Sequence, residues 1–349
     1  MILPGSFTLT LILAIIGMLL WGSWANTFKL RPAKWRFELY CFDFAIGAAI
    51  GAILLAFTLG NLGYDGFSVM DDLQLAGKRQ EVAALIAGML FALGNMLLIG
   101  AMSVSGMAVA FPIGMGVAVV VGAVLTYVPV PHGNVVFLTT GAVIAAGAIA
   151  TAAVAYRNYS AAQLLELVQQ GKTKSTRKGI SSKAIFLSAI GGLFLGVFYP
   201  IITFARTGEN GLGPYSVIMI SAFGVVAGTV VFNLFFMNLP VQGDPVDIAQ
   251  YLRAKAWTHS LGIAGGIAWA VGAVLLSVAG RAEGAAALNP AILSAMLQAG
   301  VIVATLWGMY RWDEYQGSDT KVKFLTTLTL ILLVIGVTLT SYSQLDVTH

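Results

Sequence analysis

The sequence predicts an all-α polytopic membrane protein, with ten transmembrane helices arranged as two inverted five-helix repeats. Three observations predict it. Of the 349 residues, 58% are apolar and only 10% charged, with a mean hydropathy of +0.87. A soluble domain of this length does not present such a composition to water. The apolar residues fall in runs of about 20, the length that carries a helix across a bilayer core of about 30 Å. Finally, one glycine-framed stretch occurs twice, 178 positions apart.

The runs, in order, are Phe7–Asn26, Phe37–Leu59, Val82–Met102, Met107–Val128, Val135–Tyr156, Ala184–Arg206, Tyr215–Asn238, Trp257–Ala279, Ala287–Tyr310 and Lys323–Tyr342. The first has no basic stretch ahead of it and ends in Trp21-Gly22-Ser23-Trp24 before the basic segment Lys29–Arg36. It therefore reads as a crossing, not as a cleaved leader. Forty glycines suit such a bundle, because small residues let membrane helices approach closely.

Charge placement sets the topology. With the N-terminus outside, 15 of the 19 basic residues fall on the inner side: Lys29, Arg31, Lys34 and Arg36; Arg157, Lys172, Lys174, Arg177, Lys178 and Lys183; Arg253 and Lys255; Arg311, Lys321 and Lys323. Lys78, Arg79, Arg206 and Arg281 remain outside. This positive-inside bias places both termini outside. Five crossings per half then point equivalent segments in opposite directions, so the repeat is an inverted one. The expected organisation is an N-terminal repeat over residues 1–156, a cytoplasmic linker over 157–183 and a C-terminal repeat over 184–349.

The repeat is clearest in the third and eighth runs. Gly88/Gly266, Ala92/Ala270, Gly94/Gly272, Leu97/Leu275 and Leu98/Leu276 are identical, while Phe91 faces Trp269 and Asn95 faces Ala273 in the alignment. Repeats of this kind belong mostly to transporters. Within the linker, Ala161–Val168 has an amphipathic helical pattern and reads as a surface helix. The outer segment from Tyr64 to Glu81 carries Asp65, Asp71 and Asp72, either as a plain exposed loop or as a cap on the outer mouth. Asn158-Tyr-Ser160 matches a glycosylation pattern but lies on the inner side.

Candidate functional residues follow from what is costly in a membrane. Asp43 lies six residues past Phe37, roughly 9 Å of helix rise, with Glu38 nearer the interface. Two readings stand: Asp43 and Glu38 couple transport to a proton gradient, or they pair with Lys29, Arg31 or Arg36 and fix the helix end. Amides at Asn95, Gln298 and Asn289 suit the hydroxyl groups of a sugar or a ureido group, or else join helix to helix. Asn26 and Asn233 read as structural. Among the aromatics, Trp24, Tyr199 and Trp269 are candidates for stacking on a solute, whereas Trp257, Trp307, Tyr310 and Trp312 read as interface anchors. Pro112 and Asn289-Pro290 are expected to weaken the fourth and ninth helices, as hinges, cavity walls or packing kinks. No catalytic constellation is present, which argues against an enzyme. His132, His259 and His349 are scattered, and Cys41 is the single cysteine, so neither a metal site nor a cofactor is expected. The basic pI near 9.1 reflects topology, not nucleic-acid binding.

The stretch Gly88-x-x-Phe91-Ala-Leu-Gly94-Asn95, followed by Ala101-Met-Ser103, Gly106 and Phe111-Pro112-Ile113-x-x-Gly116, resembles the bacterial glucose/ribose porter family of the drug/metabolite transporter superfamily. The rhamnose–proton symporters have a similar Gly-Asn and Gly-Met arrangement. Plant ureide permeases are similar through Phe42-Asp43-Phe-Ala-Ile46, Leu93-Gly94-Asn95 and a basic central loop. Ala273 departs from the pattern where the first copy has Asn95, so no family ligand carries over there. The resemblance implies proton-driven import of a small polar solute across a bacterial inner (plasma) membrane, with sugars first and ureides or nucleobases second. Export of drugs or metabolites is the other activity found in the superfamily.

Overall fold

A computed structural model describes residues 1–63, 66–128, 133–171 and 178–344. All regular structure among the described residues is helical. Among these residues, ten helices are long and apolar enough to cross a membrane, in the order expected. The first crossing is α1 (Phe7–Ser23), which passes through a turn at Trp24–Ala25 into the short α2 (Asn26–Leu30). Then follow α3 (Phe37–Phe57), a short α4 (Val69–Leu75), α5 (Lys78–Ser105), α6 (Met107–Tyr127), α7 (Val135–Gln169), α8 (Lys178–Arg206), α9 (Pro214–Asn238), a short α10 (Ile248–Leu252), α11 (Ala256–Ala279), α12 (Pro290–Leu306) and α13 (Thr320–Tyr342). Side-chain caps mark several starts. Ser6, Asn134, Asp247 and Asp319 each accept a backbone N–H from the first turn of the helix that follows.

Three local expectations change. The Ala161–Val168 pattern is not a separate surface helix: α7 runs unbroken to Gln169, because nothing between Tyr156 and Gln170 breaks a helix. Gly171, at φ +66°, follows its end. Asn289-Pro290 does not weaken the ninth crossing. Pro290 is the first residue of α12, where its missing N–H costs nothing, and the Asn289 side chain accepts from Ala291 N at 2.9 Å. The segment ahead of α5 folds over residues 69–75 into α4, started by a reciprocal Ser68–Asp71 capping box. Pro112 does lie inside α6, as expected, and Pro200 inside α8 is a second such site. Tyr64, Asp65, His132, Lys172, Lys174, Arg177 and His349 lie outside the described residues.

The contacts divide the chain into two compact units. One holds Met1–Met96 with Val197–Gly300; the other holds Leu97–Gly196 with the chain from Val301 onward. In the first unit, glycines bring backbones together. A methyl group added at Gly266 would strike the Phe44 carbonyl and lie 2.9 Å from the carbonyl carbon of Gly47; one at Gly47 would strike the Ile263 backbone. One at Gly88 would strike the Ser221 carbonyl and lie 2.9 Å from Gly224 Cα. Thus α11 packs on α3 and α5 on α9, each through the glycine that frames the repeat. In lipid there is no hydrophobic drive between helices, so this close approach is what holds them. In the second unit, α7 and α13 meet through Gly141 against Thr340 and Gly336 against Ala145.

Among the described residues, side-chain contacts at two places join a residue to the residue 178 positions on. In the first unit, Phe91 and Trp269 have ring centroids 4.6 Å apart. In the second, the Thr151 and Thr329 hydroxyls are hydrogen-bonded at 2.9 Å. Contacts at this spacing are consistent with the two inverted repeats expected from the sequence.

Overpacking at these crossings has a measurable cost. Gly88→Leu and Gly266→Leu should each lower stability by at least about 2 kcal/mol, seen as a lower thermal midpoint in detergent. Gly5→Ala, at a site with no atom within 4 Å, should leave the midpoint unchanged.

Candidate functional site

Asp43 lies in the second turn of α3 with its side chain fully buried. A carboxylate in such a place needs donors, and three segments provide them. Tyr251 Oη on α10 donates to Oδ1 at 2.7 Å, His259 Nδ1 on the first turn of α11 lies 2.8 Å from the same oxygen, and Trp35 Nε1 donates to Oδ2 at 3.3 Å. The donors also pack on one another. The Tyr251 and His259 ring centroids are 4.6 Å apart, Trp35 and His259 5.2 Å, and Trp35 and Tyr251 6.0 Å in a stack. Burial, and then the bond to Asp43, push the Tyr251 hydroxyl pKa well up, so Tyr251 keeps its proton and remains a donor.

The segment before α3 is held by Arg31. Its Nε donates to the Trp35 carbonyl at 2.6 Å and its Nη1 to the Phe28 carbonyl at 2.7 Å, with the guanidinium 3.4 Å over the Phe28 ring. Burial lowers the Arg31 pKa to about 10, still charged at neutral pH. Glu38 takes the arginine partner expected of it. Arg36 makes a two-pronged pair with it, Nη2–Oε1 at 2.5 Å and Nε–Oε2 at 3.2 Å, and Arg36 Nη1 also donates to the Asp244 carbonyl. Asn233, read as structural, donates to the Glu38 carbonyl at 2.6 Å. The two acids therefore separate. Glu38 ties a helix end, whereas Asp43 bonds to none of Lys29, Arg31 or Arg36 and has His259 as its basic neighbour.

The aromatic candidates Trp24 and Trp269 fall in one cluster of the same unit. Trp269 is 1% exposed, with ring centroids 4.6 Å from Phe91, 5.7 Å from Trp21 and 6.1 Å from Phe44, and Trp24 lies 4.9 Å from Phe44. The Trp269 indole N–H is buried without a hydrogen-bond acceptor among the described residues, a cost of about 1–3 kcal/mol unless something fills the role. Asn95 is buried one helical turn beyond Phe91. Gln298 Nε2 donates to Ser294 Oγ at 2.9 Å, and Gly300, two residues on, lies against the Trp21 ring. Tyr199 is half-buried, its carbonyl accepting from Thr203. Asn289 is an exposed helix cap.

Nothing in the sequence alone pairs Tyr251, His259 or Trp35 with Asp43. His259 carried a usable signal: it is an ionisable group two residues inside an apolar run, akin to the criterion that selected Asp43. Tyr251 and Trp35 lie outside the runs, and only packing brings them to the carboxylate.

No family model matches the chain. Among curated proteins it is similar to ureide permease 4 of Arabidopsis thaliana, 22% identical over 93% of this chain and 94% of the relative. It is also similar to ureide permease 1 of the same plant, 21% identical over the same shares. A solved crystal structure superposes with a TM-score of 0.54 at 13% identity, covering 95% of this chain and 96% of the other, and so shares the fold. Permeases move solutes and do not transform them, in agreement with the absence of a catalytic constellation from the sequence.

Removing one partner of the Arg36–Glu38 pair leaves a fully buried carboxylate unpaired. Arg36→Ala should destabilise the protein by about 3 kcal/mol, read as a lower denaturation midpoint in detergent. Adding Glu38→Gln to the same chain should restore most of the loss.

Proposed function

We propose that this transporter-like membrane protein imports a small polar solute by alternating access, driven by protons that bind at Asp43. The observation that carries the reading is the Asp43 cluster: a buried membrane carboxylate held by donors from three separate segments, one of them an imidazole. An ionisable group at this cost points to ion or proton traffic. The likeness to permeases along nearly the whole chain supports transport as the setting.

Two inverted repeats, residues 1–156 and 184–349 about a linker at 157–183, supply the machinery in this reading. The repeat-mate contacts Phe91–Trp269 and Thr151–Thr329 support them. Both termini lie outside, in a bacterial inner membrane, on the charge pattern and resemblance given above. Solute binds near the aromatic cluster, with Trp269 and Trp24 as stacking faces and Asn95 and Gln298 as polar contacts.

A ureide-type solute comes first, because the two relatives bear that name and because the buried Trp269 N–H calls for an acceptor such as a carbonyl oxygen. A sugar is the second reading, favoured by the ring faces gathered there, on which C–H faces of sugars stack.

Tracer uptake into proteoliposomes, with and without a pH gradient, tests the proposal on a panel of allantoin, uracil, monosaccharides and a lipophilic cation. Uphill accumulation of one polar solute under an inward proton gradient is expected; if no solute moves, the transport reading fails. Asp43→Asn should abolish uphill uptake and leave counterflow exchange running. Accumulation by that variant at the wild-type level would remove Asp43 from the coupling.

A further inference from the structure

The short helices of the first unit include α4, between α3 and α5, and α10, between α9 and α11. Displaced by the repeat offset, residues 69–75 fall on 247–253, so α4 and α10 are counterparts. Their docking is reciprocal as well. From α4, Asp72 is 7% exposed and its Oδ2 accepts from Gly213 N at 2.8 Å, where α9 begins. From α10, Tyr251 bonds Asp43 and stacks on Trp35, where α3 begins. Each short helix thus closes on the start of the other half's second crossing. The end of α9 lies beside the start of α3, with Phe37 and Phe236 ring centroids 6.2 Å apart, so the two closures stand at opposite ends of these helices.

We propose that α10 and α4 are the two gates of the transporter, one on each face, and that Tyr251 and His259 are coupling residues which latch the α10 gate to Asp43. The inference rests on the alternating-access reading and adds to it which segments move and what releases one of them. The counterpart latches differ in chemistry. The α4 latch is a carboxylate on a backbone N–H, with no imidazole or phenol in it. The α10 latch is a carboxylate that holds Tyr251 and His259 on a single oxygen. A bond to an ionised carboxylate is about twice as strong as a neutral one, so a proton arriving on Asp43 weakens both together and frees α10.

The groups around Asp43 are few. Tyr251 faces it from α10, His259 from α11 and Trp35 from the segment before α3. On α3 itself, Glu38 is paired with Arg36, Tyr40 is bonded to Thr27 at 2.6 Å, and Cys41 is buried. No lysine or arginine pairs with Asp43 among the described residues, so its charge is lost when a proton binds and is not replaced by another partner. The proton comes from one aqueous side and leaves to the other. A gate that opens inward only with a proton aboard prevents solute from leaking back through the unprotonated carrier.

Hydrogen-exchange mass spectrometry on the full-length protein in detergent tests the latch without any solute. At one fixed pH, Asp43→Asn and Tyr251→Phe should each raise amide exchange over residues 248–252 by about tenfold, with no rise over residues 69–75. Asp72→Ala should do the reverse, raising exchange over 69–75 alone. Wild-type exchange over 248–252 in both Asp43→Asn and Tyr251→Phe overturns the latch. So does a rise spread evenly over all helices, which marks general loosening. Because the readout needs no solute, a latch that responds in a protein that transports nothing on the panel separates failure of the transport reading from failure of the gate.

Discussion

Close backbone contact between helices is the constraint on which the rest of the first unit depends. Lipid offers α3 and α11 no hydrophobic reason to associate, so their contact rests on short-range packing. Gly47 against Ile263 and Gly266 against Phe44 leave no room for a side chain at either crossing. At Gly262 a methyl group would strike Asp43 itself. The approach that joins the helices is therefore also the one that sets Asp43 against His259 on one side of α3 and Phe44 against Trp269 on another. A larger residue at these glycines would separate the helices and take both features apart.

The same crossings occur twice, but the chemistry along them does not. Asp43 has Ser221 as its repeat counterpart, and that serine hydroxyl bonds back to the Val217 carbonyl within its own helix. Tyr251 answers to Leu73, and Asn95 to Ala273. A shared scaffold with unequal polar groups suits a machine whose two faces must behave differently. In the proposed gating, one face answers to Asp43 and the other to a fixed carboxylate–backbone bond. The repeat-mate pair at Phe91 and Trp269 shows the same inequality at a single contact, where one ring carries an N–H and the other carries none.

How far the site could be read from the sequence depended on the kind of signal each residue gives. Asp43 stands out in the sequence because a carboxylate within an apolar run is conspicuous. Trp269 stands out because the alignment of the repeat sets it opposite Phe91. Asn289 looked like a membrane amide and proved to be an exposed cap, since a residue just before a proline is well placed to start a helix. Glu38 and Asp43, five residues apart, were open to the same two interpretations. The turn of α3 separates them, giving Glu38 to Arg36 and Asp43 to the aromatic cage.

The sequence by itself determined the number of crossings and their approximate ends. Each of these is a local property, summed over a run of about 20 residues or a single loop, and hydration energy acts on it without reference to distant parts of the chain. Only the tertiary structure decided which partners the buried carboxylate would have. Tyr251 and His259 lie 208 and 216 positions from Asp43. Bonds of that span depend on how closely glycines let helices from the two halves approach, and on where a five-residue helix in a loop comes to rest. No window along the chain contains that information, because it arises from packing between segments and not from the composition of any one of them.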